Sequence, residues 1–351
     1  MPRPNCSTEP QHPLWQLTLM RWRIFVREPS AVFWTYCFPL ALALALGIAF
    51  RNRPPEPVEI AIQPAPGTEA WRDALAKNLS IRVHWLTAAE AHEALRVGKV
   101  SLVVSAGTAR VYEFDPTRPE SRMARALVDD ALQRAEGRAD STPVKDKLVT
   151  EPGSRYIDFL IPGLLSFNLM SSGLWGVGFV LVEMRVRKLI KRMTATPMAR
   201  AHFLLSFVLV RGLFLLGELP LLLGFAHWVF AVPIRGSLLL IVALCTLGSL
   251  VFAGIGLLLG SRAQNTHTVA GLVNLVNLPM AICSGVFFSS ARFPEVFQPL
   301  IKALPLTALI DGVRLVMNNG AGPAAVAGQA AVLAAWGLVC FVAALRLFRW
   351  Q

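Results

Sequence analysis

Two ionisable side chains, Arg211 and Glu218, lie inside a long apolar run of the sequence, where charge is costly and points to function. They are seven positions apart, so both lie on one face of a helix. Charges in such runs mark ion pathways, proton relays or substrate sites. The structural alternative is that Arg211 extends towards the nearer membrane surface, or that the two side chains fix helix packing.

The sequence holds few other groups that could react. Asp311 and Arg314, three positions apart, can pair on a helix surface. The motifs G-x-x-x-x-G-K-(S/T), H-E-x-x-H and G-x-S-x-G are absent, so the chain cannot hold nucleotide phosphates as a P-loop does, and two hydrolase classes are disfavoured. The five cysteines show no C-x-x-C spacing, which argues against zinc and against a disulfide framework. We expect no catalytic residue, metal site or cofactor in this chain.

Composition indicates a membrane protein. Of the 351 residues, 54% are hydrophobic and 16% are charged, whereas a soluble domain has about 25% charged residues. The formal net charge of +12 is concentrated beside apolar runs, as the positive-inside rule predicts for cytoplasmic loops. No basic patch is interleaved with stacking aromatic residues, so we expect no nucleic-acid partner. The sequence predicts a polytopic α-helical protein of the cytoplasmic (inner) membrane, surrounded by the lipid bilayer.

A basic segment at residues 183–201 lies between two apolar runs and predicts a cytoplasmic loop. Its apolar residues share one helix face, at Val186, Leu189, Ile190 and Met193. The remaining surface is basic, at Arg185, Lys188, Lys191 and Arg192. We therefore predict an amphipathic helix, with a second helix beginning at Thr196 and Pro197. Headgroup binding and docking of a cytoplasmic partner both fit this segment, and nucleic-acid binding is the least supported alternative.

Residues 1–30 predict a cytoplasmic tail followed by an amphipathic helix in the membrane interface. From Pro13 the apolar residues fall within one arc, at Leu14, Trp15, Leu19, Trp22, Phe25 and Val26. The opposite side is polar, with Gln16, Arg23 and Arg27. The apolar run that follows has a cleaved signal peptide as its alternative, but 30 residues precede it, which favours an uncleaved anchor.

Six apolar runs are long enough to cross a bilayer, at residues 31–50, 157–182, 203–230, 238–260, 269–288 and 324–347. Between the first two, residues 51–156 alternate strand and helix patterns, which predicts an α/β domain. Residues 289–322 hold two helices broken at Pro305 and too short to span, which predicts an external re-entrant hairpin. The distribution of basic residues places both termini in the cytoplasm and the α/β domain outside it.

Short motifs recur at the span entries, in the basic loop and in the C-terminal third. They are Arg27-Glu28-Pro29 with Phe33-Trp34 and Phe38-Pro39, Tyr156 to Gly163, Ala195 to Arg200 with its Thr-Pro pair, and Ser284-Gly285, Phe293-Pro294, Pro305-Leu306 and Arg314. In this order and spacing they resemble the permease subunit of an ABC-2 type ABC transporter, in the branch with a large external domain between the first two spans. Ala308 departs from the pattern, because the family more often has a polar or basic residue there.

The resemblance implies a dimer of six-span subunits, each contacting a separate ATP-binding subunit that carries ATP and Mg. The coupling helix to that subunit would contain Arg185, Val186, Lys188, Leu189, Ile190 and Met193. The interface helix would contain Trp15, Leu19, Trp22, Arg23 and Val26. The external gate would contain Phe293, Pro294, Pro305 and Arg314. A homodimer and a heterodimer with a paralogue both remain open.

Our leading hypothesis is a permease subunit of an ATP-driven exporter that moves an amphipathic or hydrophobic compound, such as a drug, antibiotic or lipid-like molecule, out of the cell. One alternative is a non-transporting membrane protein that signals or binds a partner through its external domain. Another is a membrane-embedded transferase, which would need clustered acid and base groups at membrane depth. A neighbouring gene for a P-loop protein would favour the exporter.

Overall fold

The computed structural model describes residues 13–50, 57–106, 110–139, 155–194 and 200–347. It divides into a helical unit, residues 1–51 and 150–351, and an α/β unit, residues 52–149. Within the described residues, six helices are long and apolar enough to cross a membrane. The predicted six-span helical fold with an α/β domain between its first two spans is therefore confirmed. The predicted N-terminal tail and the helix start at Thr196 and Pro197 lie outside the described residues.

The helical unit begins with two helices, α1 (Pro13–Val26) and α2 (Pro29–Ala49), of which α2 is the first candidate span. Pro29 occupies the first turn of α2. Proline suits this position because the first N–H groups of a helix have no partner within the helix, and because its fixed φ is close to the helical value. A π-helical turn at Phe33–Cys37 continues without a break into Phe38–Ala49.

The described residues of the α/β unit form four strands and three helices, β1 (Val58–Ile62), α3 (Glu69–Ala76), β2 (Ile81–Trp85), α4 (Ala88–Val97), β3 (Leu102–Ala106), β4 (Arg110–Glu113) and α5 (Pro119–Ala135). The strand order is β2-β1-β3-β4, with β1 parallel to β2 and β3, and β4 antiparallel to β3. Alternate strand residues such as Ile60 and Leu102 pack with α3 and α5, whereas Ala61 and Val103 pack with α4. Strands alternate with helices along this unit, as predicted, but the buried residues of β1 and β3 form continuous runs because helices cover both faces of these strands.

The remaining helices complete the helical unit: α6 (Tyr156–Val186), α7 (Leu189–Thr194), α8 (Arg200–Phe230), α9 (Leu238–Arg262), α10 (Thr266–Cys283), α11 (Gln298–Ala303), α12 (Pro305–Asn319) and α13 (Ala327–Leu347). Asn265 caps α10, because its side chain accepts a 2.7 Å bond from the Thr268 N–H. α10 ends at Cys283, before the predicted boundary at residue 288, and Gly285 then adopts a φ of +81°. Pro305 is the first residue of α12, so the break between two short helices lies where it was predicted.

The core of the helical unit centres on α9, which packs against α6, α12 and α13. We call the end of the unit that holds α1, the turn between α6 and α7, and Arg262 the basic end. The end that holds α11 and α12 is called the hairpin end. α6 and α9 run parallel and both finish at the basic end, so the carbonyl-rich C-termini of two helices come together there.

Candidate functional site

Arg211 and Glu218 form a bidentate ion pair inside the helical unit. Nη1 of Arg211 donates to Oε1 of Glu218 at 2.8 Å, and Nη2 donates to Oε2 at 3.0 Å. Only 3% and 1% of the two residues is exposed. Nε of Arg211 also donates to Oγ of Ser249 on α9 at 2.8 Å, and Nη2 lies 3.5 Å from the Leu169 carbonyl oxygen on α6. Arg211 thus connects three spans, and its side chain does not extend to the helix end.

Weaker polar contacts join further helices at α6. Nδ2 of Asn168 lies 3.4 Å from the Thr35 carbonyl oxygen on α2, and Oγ of Ser171 donates to Oδ1 of Asn277 on α10 at 3.2 Å. Polar groups that meet between apolar helices satisfy one another where no water can do so. α6 therefore carries polar contacts to α2, α8 and α10.

The basic segment is two helices joined by a turn, and the predicted continuous amphipathic helix is wrong. α6 ends at Val186 and α7 starts at Leu189, because Lys188 adopts a left-handed φ of 57°. The turn separates residues that the periodicity placed on one face. Val186 and Leu189 are 51% and 36% exposed, whereas Ile190 is 4% exposed and packs in a cluster of buried apolar side chains. Lys188 is exposed, and the side chain of Met193 lies outside the described ones.

Arg185 is engaged within the chain. Its Nη1 donates to the carbonyl oxygens of Gly260 at 2.9 Å and Ala263 at 2.5 Å, and its Nη2 donates to that of Ser261 at 3.0 Å. These carbonyls belong to the C-terminal end of α9, where helix carbonyls have no partner within the helix. Arg185 therefore caps α9 from the last turn of α6.

Helix α1 packs against the first half of α8 at the basic end. Arg21 lies 3.4 Å from the centroid of the Phe207 ring, and the Phe25 and Phe214 rings are 4.1 Å apart. Trp22 joins this cluster, with its ring centroid 5.7 Å from that of Phe214. Burial lowers the pKa of Arg21 to about 9. The contacts orient α1 with respect to α8.

The packed face of α1 is rotated from the predicted apolar arc. Leu17 and Thr18 are buried, whereas Trp15 and Val26, both predicted on the apolar face, are 58% and 52% exposed. Trp22, which also lies on the predicted arc, is half-buried and packs against the Phe214 ring of α8. The outward side is a shallow groove of mixed basic and apolar character, lined by Gln16, Leu19, Met20, Arg23, Ile24 and Arg27. The arc is displaced because aromatic rings on α8, rather than lipid, set which side of α1 packs.

The predicted gate residues lie in two separate sets of contacts at the hairpin end. Arg314 on α12 donates to the carbonyl oxygens of Phe159 and Gly285, each at 3.2 Å, and lies 3.9 Å from the Phe159 ring centroid. Burial lowers the pKa of Arg314, and Asp311, 3.6 Å away, opposes that shift. Pro305 is buried at the start of α12. The Phe293 carbonyl oxygen instead accepts a hydrogen bond from Nε2 of Gln298, and the neighbouring Pro294 is exposed.

Arg155 is a residue that sequence reasoning missed. It precedes α6 and donates to the carbonyl oxygens of Phe230 and Ala231 at the C-terminal end of α8, each at 3.0 Å. The same guanidinium forms a bidentate pair with Asp158, at 2.8 and 3.0 Å, and this hydrogen bonding raises the pKa of Arg155. An arginine before a span with an aspartate three residues on was the available signal.

Among the described residues, no group of three or more His, Cys, Asp or Glu side chains could hold a metal ion. The notable chemistry of these residues is therefore arginine bonding to carboxylates and to helix-end carbonyls. Such an arrangement holds helices in register.

A family described as ABC-2 family transporter protein matches residues 29–346, which is most of the chain. This chain belongs to the ABC-2 transporter family. The match begins at α2 and ends in α13, so it includes all six candidate spans and the α/β unit. Members of this family are the membrane component of ABC transporters and not the ATPase.

Relatives of this ABC-2 permease come from bacteria and a eukaryote. Linearmycin resistance permease protein LnrN of Bacillus subtilis is 24% identical over 50% of this chain and 45% of its own length. Probable multidrug ABC transporter permease YbhS of Escherichia coli is 25% identical over 54% of this chain and 52% of its own. ABC transporter G family member 20 of Dictyostelium discoideum is 27% identical over 56% of this chain and 27% of its own length. The chain therefore spans about half or less of the length of these relatives.

Proposed function

We propose that this ABC-2 permease is the transmembrane subunit of an ATP-driven exporter. ATP and Mg would bind to a separate ABC ATP-binding subunit, and none of the motifs in this chain could hold them. In this proposal the basic end faces the cytoplasm, because basic residues flank cytoplasmic span ends. Both termini are then cytoplasmic, the α/β unit is extracytoplasmic, and a second permease copy or a paralogue completes a dimer.

The contact with the ATP-binding subunit would be made by the two exposed apolar residues at the turn after α6. Val186 and Leu189, which we call the coupling pair, lie on either side of the left-handed Lys188. Ile190 packs among buried apolar side chains of the helical unit. This packing fixes the turn in place while the coupling pair remains exposed. Exposed apolar side chains at a charged surface suit a protein groove better than water. This exposed pair is the observation that carries the proposal.

The outward side of α1 would lie in the membrane interface. Its exposed Trp15 and Val26 suit the boundary between headgroups and acyl chains, and Arg23 suits anionic headgroups. Leu19 is half-buried between the two faces. We propose that α1 fixes the depth of α8 in the bilayer through the contacts between the two helices.

The cargo is proposed from the relatives. The Bacillus subtilis relative is named for linearmycin resistance and the Escherichia coli relative as a probable multidrug permease. By analogy, we propose that this chain moves an amphipathic or hydrophobic compound out across the cytoplasmic membrane. Arg314, Pro305, Phe293 and Pro294 lie at the hairpin end, which would then be the external exit.

The test is co-purification of an ATP-binding subunit with the double variant Val186→Glu, Leu189→Glu. Placing charge in a desolvated contact costs several kcal/mol, so recruitment of the subunit and stimulated ATP hydrolysis should both collapse. Val296→Glu is the matched control, since Val296 is an exposed apolar residue at the opposite, hairpin end. Equal recruitment by the double variant, the control and the wild type would reject the coupling pair.

A further inference from the structure

The C-terminal halves of α6 and α9 are in direct backbone contact. A Cβ atom added to Gly178 would lie 2.8 Å from the Gly256 carbonyl oxygen, and one added to Gly260 would lie 2.9 Å from that of Gly178. A Cβ atom added to Gly256 would likewise lie 2.8 Å from the Gly173 carbonyl oxygen. At these glycines the two helix backbones approach each other with no Cβ atom between them, so the helices pack more closely than larger residues would allow.

Arg185 closes this pair of helices at the basic end. Two parallel helices bring the negative ends of two dipoles together there, which favours a cation between them. The guanidinium supplies that cation and gives hydrogen bonds to three end carbonyls of α9, on Gly260, Ser261 and Ala263. Lysine could place a charge there, but a single ammonium cannot match the planar fork of five donors.

Arg185 also lies beside the coupling pair. Val186 follows it directly, and the Lys188 N–H donates to the Arg185 carbonyl oxygen at 2.9 Å, which holds the turn against the last turn of α6. A displacement of the turn would therefore move Arg185, which is hydrogen-bonded to the C-terminal end of α9. Near the middle of α9, Gly248 contacts Leu309 of α12 so closely that an added Cβ would lie 2.6 Å from a methyl carbon.

We propose that Arg185 is a positioning residue that makes α6 and α9 move as one body when the turn between α6 and α7 is displaced. The ATP-binding subunit does not touch Arg185. It moves the coupling pair, and Arg185 passes that movement to α9 and from there to α12. This inference rests on the proposed function, because it takes the coupling pair as the point where force enters.

The first experiment measures, in the full chain and without any ATPase, how firmly Arg185 holds α6 to the end of α9. We call this contact the Arg185 clamp. Spin labels replace the exposed Arg187 and Arg262 at the ends of α6 and α9, in a background without native cysteines and in phospholipid vesicles. The wild-type residue at position 185 should give one narrow distance distribution. Arg185→Gln should broaden it, and Arg185→Lys should fall between the two. An unchanged distribution in Arg185→Gln would overturn the clamp.

The second experiment measures transmission in the complex with the co-purifying ATP-binding subunit. We expect Arg185→Gln to retain that subunit while permease-stimulated hydrolysis of Mg-ATP falls about fivefold or more, the lower range of measured couplings between sites. Arg185→Lys should recover part of the loss. Arg262→Gln is the control, since it removes one exposed charge from the same end of α9 and should match the wild type.

The two proposals fail in different ways. Loss of the ATP-binding subunit from Arg185→Gln, with a narrow distance distribution, would make Arg185 a direct contact and overturn its positioning role. Full stimulation in Arg185→Gln would overturn transmission through Arg185. If instead Val186→Glu with Leu189→Glu keeps both recruitment and stimulation, the proposed coupling pair is wrong, whatever the Arg185 variants show.

Discussion

Arg155 and Arg185 lie at opposite ends of α6, and each caps the C-terminus of a different neighbouring helix. Arg155 donates to the Phe230 and Ala231 carbonyls that end α8, and Arg185 donates to carbonyls that end α9. Both caps use the same chemistry, a cation at the negative end of a helix dipole. α6 is therefore held to α8 at the hairpin end and to α9 at the basic end.

We expect Arg155→Gln to destabilise the helical unit. The variant removes the guanidinium from the fully buried carboxylate of Asp158 and from two end carbonyls. The loss should be about 1–3 kcal/mol, below the 3–5 kcal/mol for breaking a fully buried pair, because Arg155 stays partly exposed. Thermal unfolding in detergent measures it, with the exposed Arg292→Gln as control. Equal melting of the two variants would contradict the capping role.

The Arg211 and Glu218 pair predicts strong non-additivity. Arg211→Met alone strands a buried carboxylate and should cost about 3–5 kcal/mol. Arg211→Met combined with Glu218→Leu leaves no buried charge and should recover most of that loss. Yield and thermal unfolding of the two single variants and the double variant test this, and additive losses would contradict it. Transport by a stable double variant would assign the pair to packing, and lost transport would assign it to an ion pathway.

The neighbouring residues Leu189 and Ile190 should respond differently to the same substitution. Ile190→Glu places a charge among buried apolar side chains such as Leu181 and Leu257, so the amount of folded protein should fall severalfold. Leu189→Glu should leave that amount unchanged, because its side chain is partly exposed. Fluorescence-detected size-exclusion of both variants provides the measurement. Similar profiles would show that the turn at Lys188 does not separate the two residues.

The proposed orientation predicts the activity of reporter fusions. A reporter that works only outside the cytoplasm should be active after Arg138, which lies near the end of the described part of the α/β unit. A cytoplasmic reporter should be active at Lys191, close to the basic turn. Both expectations follow from the excess of basic residues at the basic end. Activity on the opposite side at either position would reverse or break the six-span arrangement.

Tyr112 offers a direct test of the α/β unit. It is the sole tyrosine between residues 54 and 155, so absorbance titration of that fragment reports Tyr112 alone. Burial, together with its 3.0 Å hydrogen bond to Asp129, raises the pKa of Tyr112 from 10.0 to about 12. Neutral tyrosine is favoured in the fold, so this stabilisation is present below pH 10.0 and is lost as pH rises through about 12.

The comparison for Tyr112 is the same fragment in urea and the variant Asp129→Asn. Unfolding should return the titration to its ordinary value, and removing the carboxylate should lower the folded pKa part of the way. A titration near 10.0 in native buffer would contradict the burial of Tyr112 and its hydrogen bond to Asp129 in this fragment.

Periodicity and composition were enough to predict the six spans, the four strands of the α/β unit and the restart at Pro305. Each of these depends on local signals: an apolar run long enough for the bilayer, strand patterns that alternate with helix patterns, or a proline that cannot continue a helix. The Arg211 and Glu218 pair was also visible, because charge in an apolar run is conspicuous and a spacing of seven returns to the same face.

Only the tertiary structure decided which side of each helix faces a neighbour. In a membrane protein, lipid and adjacent helices are equally apolar, so hydrophobicity along α1 does not reveal that Leu17 packs and Trp15 does not. A single left-handed residue, Lys188, rotated Ile190 inward and left Leu189 outward. Arg155 and Arg185 found their partners in carbonyls roughly 75 positions away along the chain. No sequence pattern encodes those carbonyls, because every residue has one and only the fold determines which lack a partner.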